Sequence, residues 1–219
     1  MPAVTEKPKP YLSIVRYCER LLDEHGDSHL GVGSRTPEIA DTCFRVMLGV
    51  IKTPPHQRVS LLDFGCGLSH LYEYIRQHEF DHIEYTGLDL SPRFLDVSRR
   101  KFPAVQYYEL DVLDEPDRLP EFDYIVINGL FTARVDIPYE DMFDYVRRVL
   151  RILFAKTRIG LAFSVMSKYV DWEREDLFHL PFDEMARFVF EELTRHFAIR
   201  HDYGLYEYTT YLYKDAEYY

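Results

Sequence analysis

The sequence predicts an α/β fold, a doubly wound domain on a seven-stranded, mostly parallel sheet, and three observations lead there. Seven short runs rich in apolar and β-branched residues alternate, over most of the chain, with stretches whose apolar residues recur at helical spacing. The first of these runs, Val59–Phe64, stops at a glycine turn, Gly65-Cys66-Gly67, after which Leu71, Tyr72 and Ile75 fall at helical spacing. The last two runs are joined by a short turn, Tyr203-Gly204-Leu205-Tyr206, and read as a hairpin that makes one strand antiparallel.

Taken in order, residues 1–10 carry three prolines and little apolar content, and read as a flexible lead-in. Residues 11–24 put Tyr11, Ile14, Val15, Cys18, Leu21 and Leu22 on one helical face. A loop marked by Gly26, Gly31 and Gly33 follows and is expected to be mobile. It closes on Thr36-Pro37-Glu38, a helix-start signature for a helix over residues 37–51, which Pro54 and Pro55 break. Residues 1–56 are therefore expected to form a helical extension or lid, and residues 57–219 the doubly wound domain.

The second strand, residues 83–88, ends at Asp89, and Ser91-Pro92 opens a helix to Lys101. The third, residues 105–110, is closed by Asp111. The fourth, residues 122–127, ends in Asn128-Gly129 and leads to a helix over residues 139–154. A fifth strand over residues 159–165 precedes a long connection, residues 166–181, carrying Tyr169, Asp171, Trp172, Asp176 and His179. A helix over residues 182–196 and strands at residues 198–202 and 207–213 complete the chain.

Composition narrows the function classes. A net charge of −11 and a pI near 5.3 argue against a phosphate-tracking surface, so no nucleic-acid partner is expected. No stretch of about 18 apolar residues occurs, so no membrane partner is expected either. Cys18, Cys43 and Cys66 form neither a disulfide framework nor a metal-ligand spacing, which points to a cytoplasmic protein with no metal. Of the 18 tyrosines, seven fall in the last 17 residues, where Tyr206, Tyr208 and Tyr211 partly follow strand alternation and read as sheet packing.

The glycine turn is the nucleotide-binding kind. Gly65 permits the tight turn, Gly67 lets a ligand approach the backbone, and amides at the next helix N-terminus offer donors. Two features separate it from a dinucleotide fingerprint. His70 stands where the third glycine of that fingerprint falls, and Asp63 puts a carboxylate at the strand end, suited to an ammonium group and hostile to a diphosphate. Asp89 lies where a strand-end acid takes a ribose diol, roughly 20 residues past the glycines. Asp111 suits an exocyclic amine, which needs an acceptor.

With Asp63, Gly65 and Gly67, the acids Asp89 and Asp111 and the fourth strand FDYIVING, residues 59–161 resemble the class I S-adenosylmethionine-dependent methyltransferases. The resemblance implies a Rossmann-like sheet of order 3-2-1-4-5-7-6 with strand seven antiparallel, and S-adenosylmethionine as cofactor. It implies that Gly65 and Gly67 pass along the methionyl and ribose part and that Asp63 reaches the amino group through water or backbone. Asp89 would bind both ribose hydroxyls and Asp111 with Val112 would face the adenine. Cys66, Leu90, Asn128 and Gly129 complete the expected cofactor set. Residues 166–181 and 200–214 are similar to a poorly described bacterial subgroup found among secondary-metabolite and surface-glycan genes. No NPPY-type motif of amino-methylating nucleic-acid enzymes occurs, since Gly129, Leu130 and Phe131 follow Asn128.

Methyl transfer is an in-line displacement at a carbon already activated by the sulfonium, so positioning can supply much of the catalysis. Candidate catalytic residues are His70, Asn128, Tyr169 and Asp171, on segments expected over the carboxyl ends of the strands. His70 reads either as a pocket-lining residue or acceptor-side base, or as a group that merely packs at the helix start. Tyr169 and Asp171 read as an acceptor-site cover or as a solvated loop. His25, His29 and the trio His201, Asp202 and Tyr203 are weaker candidates of the same kind, and Tyr72 or Phe131 would suit a cation–π contact with a sulfonium.

The leading reading is a methyltransferase acting on oxygen or nitrogen of a small-molecule acceptor, a metabolite or glycan precursor. One alternative keeps the cofactor but cyclises its aminopropyl chain with release of methylthioadenosine; another is a catalytically silent cofactor-binding subunit. The residues leave open whether the N-terminal helices mediate a homodimer.

Overall fold

The computed structural model describes residues 9–216, and its organising element is one sheet of seven strands. Strands β1 (Val59–Phe64), β2 (Ile83–Asp89), β3 (Gln106–Glu109), β4 (Phe122–Ile127), β5 (Thr157–Met166), β6 (Phe197–Arg200) and β7 (Glu207–Tyr213) lie in the order β3-β2-β1-β4-β5-β7-β6. Only β7 runs against its neighbours, β5 and β6, as the resemblance implied. Most of the lead-in expected over residues 1–10, with Tyr218 and Tyr219, lies outside the described residues.

Helices α1 (Leu12–His25), α2 (Pro37–Leu48), α3 (His70–Gln77), α4 (Pro92–Lys101), α5 (Tyr139–Ala155) and α6 (Phe182–Glu192) cover the two faces. Strand alternation divides the core accordingly. Leu62, Phe64, Ile125, Ile127, Leu161 and Phe163 meet α5, α6 and the start of α1. Leu61, Tyr124, Val126, Ala162, Tyr211 and Tyr213 meet α2, α3 and α4. Tyr208, Tyr211 and Tyr213 are thus core residues, and two of their hydroxyls find backbone acceptors: Tyr208 donates to the Leu180 carbonyl and Tyr211 to that of Val46.

Register carries the strand ends to one edge. Phe64 stands beside Leu88, Asp63 beside Val126, Asp89 beside Glu109, and Ile127 beside Phe163. Consequently the glycine turn, Asp89, Asp111 and Asn128 emerge together at the carboxyl ends of the parallel strands. Antiparallel β7 brings its first residue, Glu207, to the same edge beside Met166.

Two helices are shorter than their periodicity suggested. The α2 pattern extends to Ile51, yet the helix stops at Leu48 because the Tyr211 hydroxyl takes the Val46 carbonyl and crowds Gly49, where an added Cβ would lie 2.6 Å from that oxygen. The last helix, expected to reach His196, stops at Glu192. There the amides of Leu193 and Thr194 both turn to the Val189 carbonyl, and the Thr194 hydroxyl donates to the Tyr213 carbonyl.

Tyr124 joins the sheet to the break after α2. Its hydroxyl accepts from the amides of Lys52 and Thr53, each at 3.2 Å, and pairs with the Thr53 hydroxyl at 2.8 Å. Tyr124→Phe keeps the ring but leaves two part-buried amides unsatisfied, at a cost of about 2 kcal/mol. The expected result in urea unfolding is a lower midpoint at unchanged slope.

Candidate active site

The glycine turn is wired to the second strand. The amides of Gly65 and Cys66 both donate to the Leu88 carbonyl, at 2.8 and 2.9 Å, and the Gly67 amide donates to Asp89 Oδ2 at 2.9 Å. The turn amides are therefore committed within the protein; the donors expected of the next helix are a separate set, the amides at the start of α3. Gly65 (φ +77°) and Gly67 (φ +51°) take the left-handed backbone this path requires. A Cβ on Gly65 would lie 3.6 Å from Leu130, and one on Gly67 would lie 3.5 Å from Val32. The turn is packed between the β4 end and the N-terminal 3-10 turn Leu30–Val32.

Asp63 lies under the turn at 3% exposure, and its Oδ2 accepts from the Tyr85 hydroxyl at 2.8 Å. Burial pushes its carboxyl up to about 7, against the bond from Tyr85 and assisted by the nearby charge of Asp89. Asp89 accepts at Oδ2 from Gly67 and at Oδ1 from the Ser91 amide, at 2.8 Å. Burial raises its carboxyl too, although these amide bonds oppose the shift. Among the described residues neither carboxylate has an ion-pair partner. Cys66 is buried between them, and burial with both charges pushes its thiol up.

Asp111, at the end of β3, is held differently. Its Oδ2 accepts from the Tyr11 hydroxyl at 2.7 Å and from Lys9 at 3.1 Å, while Oδ1 accepts from the Leu113 amide. Leu90, Val112, Phe64 and Tyr145 gather around it. Tyr11 was legible only as an apolar helix position, and no sequence signal connected it to Asp111.

Asn128 is half-buried at the β4 end, and the Gly129 amide lies 3.4 Å from the Ser164 hydroxyl on β5. Ser164 in turn bonds Glu207, whose Oε1 also accepts from Cys43 Sγ on α2 at 2.9 Å. Burial raises the Glu207 carboxyl despite those bonds. Sequence reasoning missed Glu207. The available signal was a lone acid opening the otherwise uncharged strand EYTTYLY.

His70 does not stand alone at the start of α3. Its Nε2 lies 2.8 Å from Asp27, which also pairs with Lys101, and Lys101 reaches Glu73 and the Leu68 carbonyl. This network pins the loop after α1 to α3 and α4.

The connection of residues 166–181 is stitched down rather than solvated along its length. Arg134 and Val135 donate to the Asp176 carbonyl, Phe178 to that of Thr132, and Leu180 to that of Met166. Buried His179 accepts the Arg174 amide at Nε2, so its Nδ1 donates to the Ser167 carbonyl. Tyr169 and Trp172 remain 71% and 73% exposed, and Asp171 accepts from the Tyr206 hydroxyl. Arg35 lies close enough to Tyr206 for its charge to act there. His25, Asp202 and His201 are more peripheral: His25 neighbours Glu24, Asp202 pairs with Arg200, and His201 packs on Phe182. All three cysteines are free, and no group of metal-ligating side chains occurs among the described residues. No helix among them is long and apolar enough to cross a membrane.

A sheet of this order with a glycine turn and acids at its first three strand ends defines a doubly wound, cofactor-binding enzyme architecture. Residues 62–156 match the family model described as a methyltransferase domain. The chain is 29% identical over 152 residues to Rv1506c of Mycobacterium tuberculosis, a protein provisionally named a methyltransferase, covering 68% of this chain and 90% of that one. Its fold is similar to magnesium protoporphyrin IX methyltransferase of Synechocystis with bound S-adenosylmethionine, at a TM-score of 0.64 and 12% identity, over 96% of this chain and 100% of that chain. It is also similar to 1,6-didemethyltoxoflavin-N1-methyltransferase of Burkholderia thailandensis, solved with that compound and S-adenosylhomocysteine, at a TM-score of 0.59 and 15% identity, over 97% and 93% of the two chains. The methyltransferase domain over residues 62–156 and the methyltransferase relatives support reading the chain as a class I S-adenosylmethionine-dependent methyltransferase.

The Asp63 environment has a pH consequence. Its folded pKa lies above that of the unfolded chain, so the folded state holds the extra proton between about pH 4 and pH 7 and loses stability as pH rises through that window. Asp63→Asn, which still accepts from Tyr85, is expected to remove up to about 1.4 kcal/mol per pH unit of that slope. Urea midpoints measured at several pH values for both chains check this.

Proposed function

We propose that this enzyme transfers a methyl group from S-adenosylmethionine to an oxygen or nitrogen of a small-molecule acceptor. The observation that carries the reading is the pair of carboxylates, buried Asp63 and half-buried Asp89, with hydrogen-bond donors around them but no cation beside either among the described residues. That donor set suits a ligand that brings hydroxyls and its own positive charge. When bound, the cofactor supplies a methyl group on a sulfonium. In this reading the Gly65–Gly67 backbone runs along the methionyl and ribose part. Asp89 accepts the Gly67 and Ser91 amides, one on each oxygen, with the Leu90 amide bonding to it as well, and in this reading its remaining acceptor capacity takes the ribose hydroxyls. Asp111 and Val112 face the adenine, with Leu90 beside them, and Asp63 supplies negative charge from beneath the turn near the methionyl end.

On the acceptor side, Asn128 and Gly129 form the border between cofactor and acceptor. Asp171, Tyr169 and Tyr206 form an outer rim over the acceptor, and His70 acts by holding the N-terminal cover through Asp27. Glu207, bridged to Gly129 through Ser164, is placed to receive the proton an acceptor sheds as its bond to the methyl carbon forms. Support for a small acceptor comes from the acidic balance of −11, which disfavours a polyanion. The similar fold of 1,6-didemethyltoxoflavin-N1-methyltransferase, which holds 1,6-didemethyltoxoflavin, supports this reading.

Incubation with methyl-labelled cofactor and cell extract of the source organism tests the reading: label is expected in a low-molecular-weight fraction with release of S-adenosylhomocysteine. Label confined to nucleic acid, or release of methylthioadenosine instead, contradicts it. Asp89→Ala is expected to weaken S-adenosylhomocysteine binding by about 1.5 to 3 kcal/mol in calorimetry. Glu207→Gln is expected to leave that affinity unchanged while lowering the labelling rate by about 100-fold, the size of a general-base contribution.

A further inference from the structure

We propose that the segment Lys9–Tyr11 is a strap seated where the cofactor's adenine goes, and that it leaves this seat when the cofactor binds. The inference rests on the reading of Asp111 and Val112 as the adenine-facing residues. Tyr11 is 4% exposed, stacked on Tyr145 with ring centroids 4.8 Å apart and planes 12° from parallel. Its hydroxyl donates to Asp111 Oδ2 at 2.7 Å. Lys9 donates to the same oxygen at 3.1 Å and also pairs with Asp114. Both lone pairs of that oxygen are therefore taken.

The chemistry of the occupant matches the chemistry of the seat. A tyrosine ring is flat, aromatic and carries one edge donor, which it points at Asp111; adenine is flat, aromatic and carries an exocyclic amine that requires the same acceptor. The open space left among Tyr11, Phe64, Leu90, Asp111, Val112 and Tyr145 is about 10 Å³. That is at the lower limit of about 10–15 Å³ needed for one water, so a purine and the Tyr11 ring cannot share it.

The strap is also built to detach. The first turn of α1 has no side-chain cap, and Pro10 before it contributes no amide. Further along, α1 is fastened independently: Ser91 donates to Glu19 at 2.5 Å, and Arg93 pairs with Asp23. The first turn can therefore fray while the remainder of the helix stays docked beside Asp89. Cofactor affinity is then reduced by the fraction of molecules whose strap is seated.

Calorimetric titration with S-adenosylhomocysteine of the wild type, Tyr11→Phe and Tyr11→Ala tests this. The expected order is tightest binding for Tyr11→Ala, at least tenfold tighter than wild type, with Tyr11→Phe between them. In the wild type, hydrogen exchange at the amides of residues 12–14 is expected to accelerate on addition of S-adenosylhomocysteine. Should Tyr11→Ala fail to fold, Tyr11→Phe and the wild-type exchange decide the question. Equal binding by all three chains, weaker binding by the variants, or slowed exchange at residues 12–14 overturns the strap while leaving the cofactor reading intact. Absence of binding by every chain overturns the cofactor reading, and the strap with it.

Discussion

Two carboxylates without a counter-ion, one buried and one half-buried, constrain this molecule more than any other feature. Asp63 and Asp89 stand at the ends of adjacent strands, close enough for the charge of Asp89 to raise the cost of ionising Asp63. Taking a carboxylate out of water is expensive unless it is paired, hydrogen-bonded or protonated. The structure answers with donors instead of cations: the Tyr85 hydroxyl for Asp63, and the Gly67 and Ser91 amides for Asp89. Those bonds also shape the turn, because the Gly67 amide reaches Asp89 only while Gly67 stays left-handed. Gly87, between them on β2, has no space for a side chain, since a Cβ there would lie 2.7 Å from Tyr107 and 2.9 Å from Cys66 Sγ. Charge, turn and strand packing form one arrangement, and the cationic adenosyl ligand proposed here would relieve its electrostatic cost.

The N-terminal extension is the second consequence of that crowded edge. Tyr11 lies on Asp111, Glu19 on Ser91, and Val32 over Gly67, so the extension touches three places along the line proposed for the cofactor. It is tied down by surface ion pairs, such as Asp27 with Lys101, and such exposed pairs are individually weak. The helix α2 puts Phe44, Val46, Met47 and Leu48 into the core, whereas α1 adds to its polar contacts only Tyr11 and Ile14 as fully buried apolar anchors.

Much of this was legible in the sequence, for physical reasons that differ by element. Strands β1, β2 and β4 are read from mostly apolar runs because both of their faces are largely covered, and the glycines and acids at their ends mark where those runs stop. The antiparallel β7 followed from a short connection that no crossover helix fits. What the sequence hid are contacts between residues far apart along the chain. Tyr11 with Asp111, Cys43 with Glu207 and His70 with Asp27 have no local signature. The commitment of the turn amides to Leu88 was hidden for the same reason, since a glycine motif shows that the backbone can bend but not which carbonyl it meets. The ends of α2 and α6 were misjudged where tertiary hydroxyl bonds, from Tyr211 and Thr194, overrode helical periodicity.

The central claim is that a cationic ligand settles beside a carboxylate, Asp63, that is partly protonated near neutral pH. Calorimetric titration of S-adenosylmethionine at pH 6.5, repeated in buffers of different ionisation enthalpy, reads the protons exchanged on binding. The account predicts net proton release with S-adenosylmethionine, larger than with the uncharged thioether S-adenosylhomocysteine under the same conditions, and abolished or strongly reduced in Asp63→Asn. Equal proton exchange for the two ligands, or release that persists undiminished in Asp63→Asn, would contradict it.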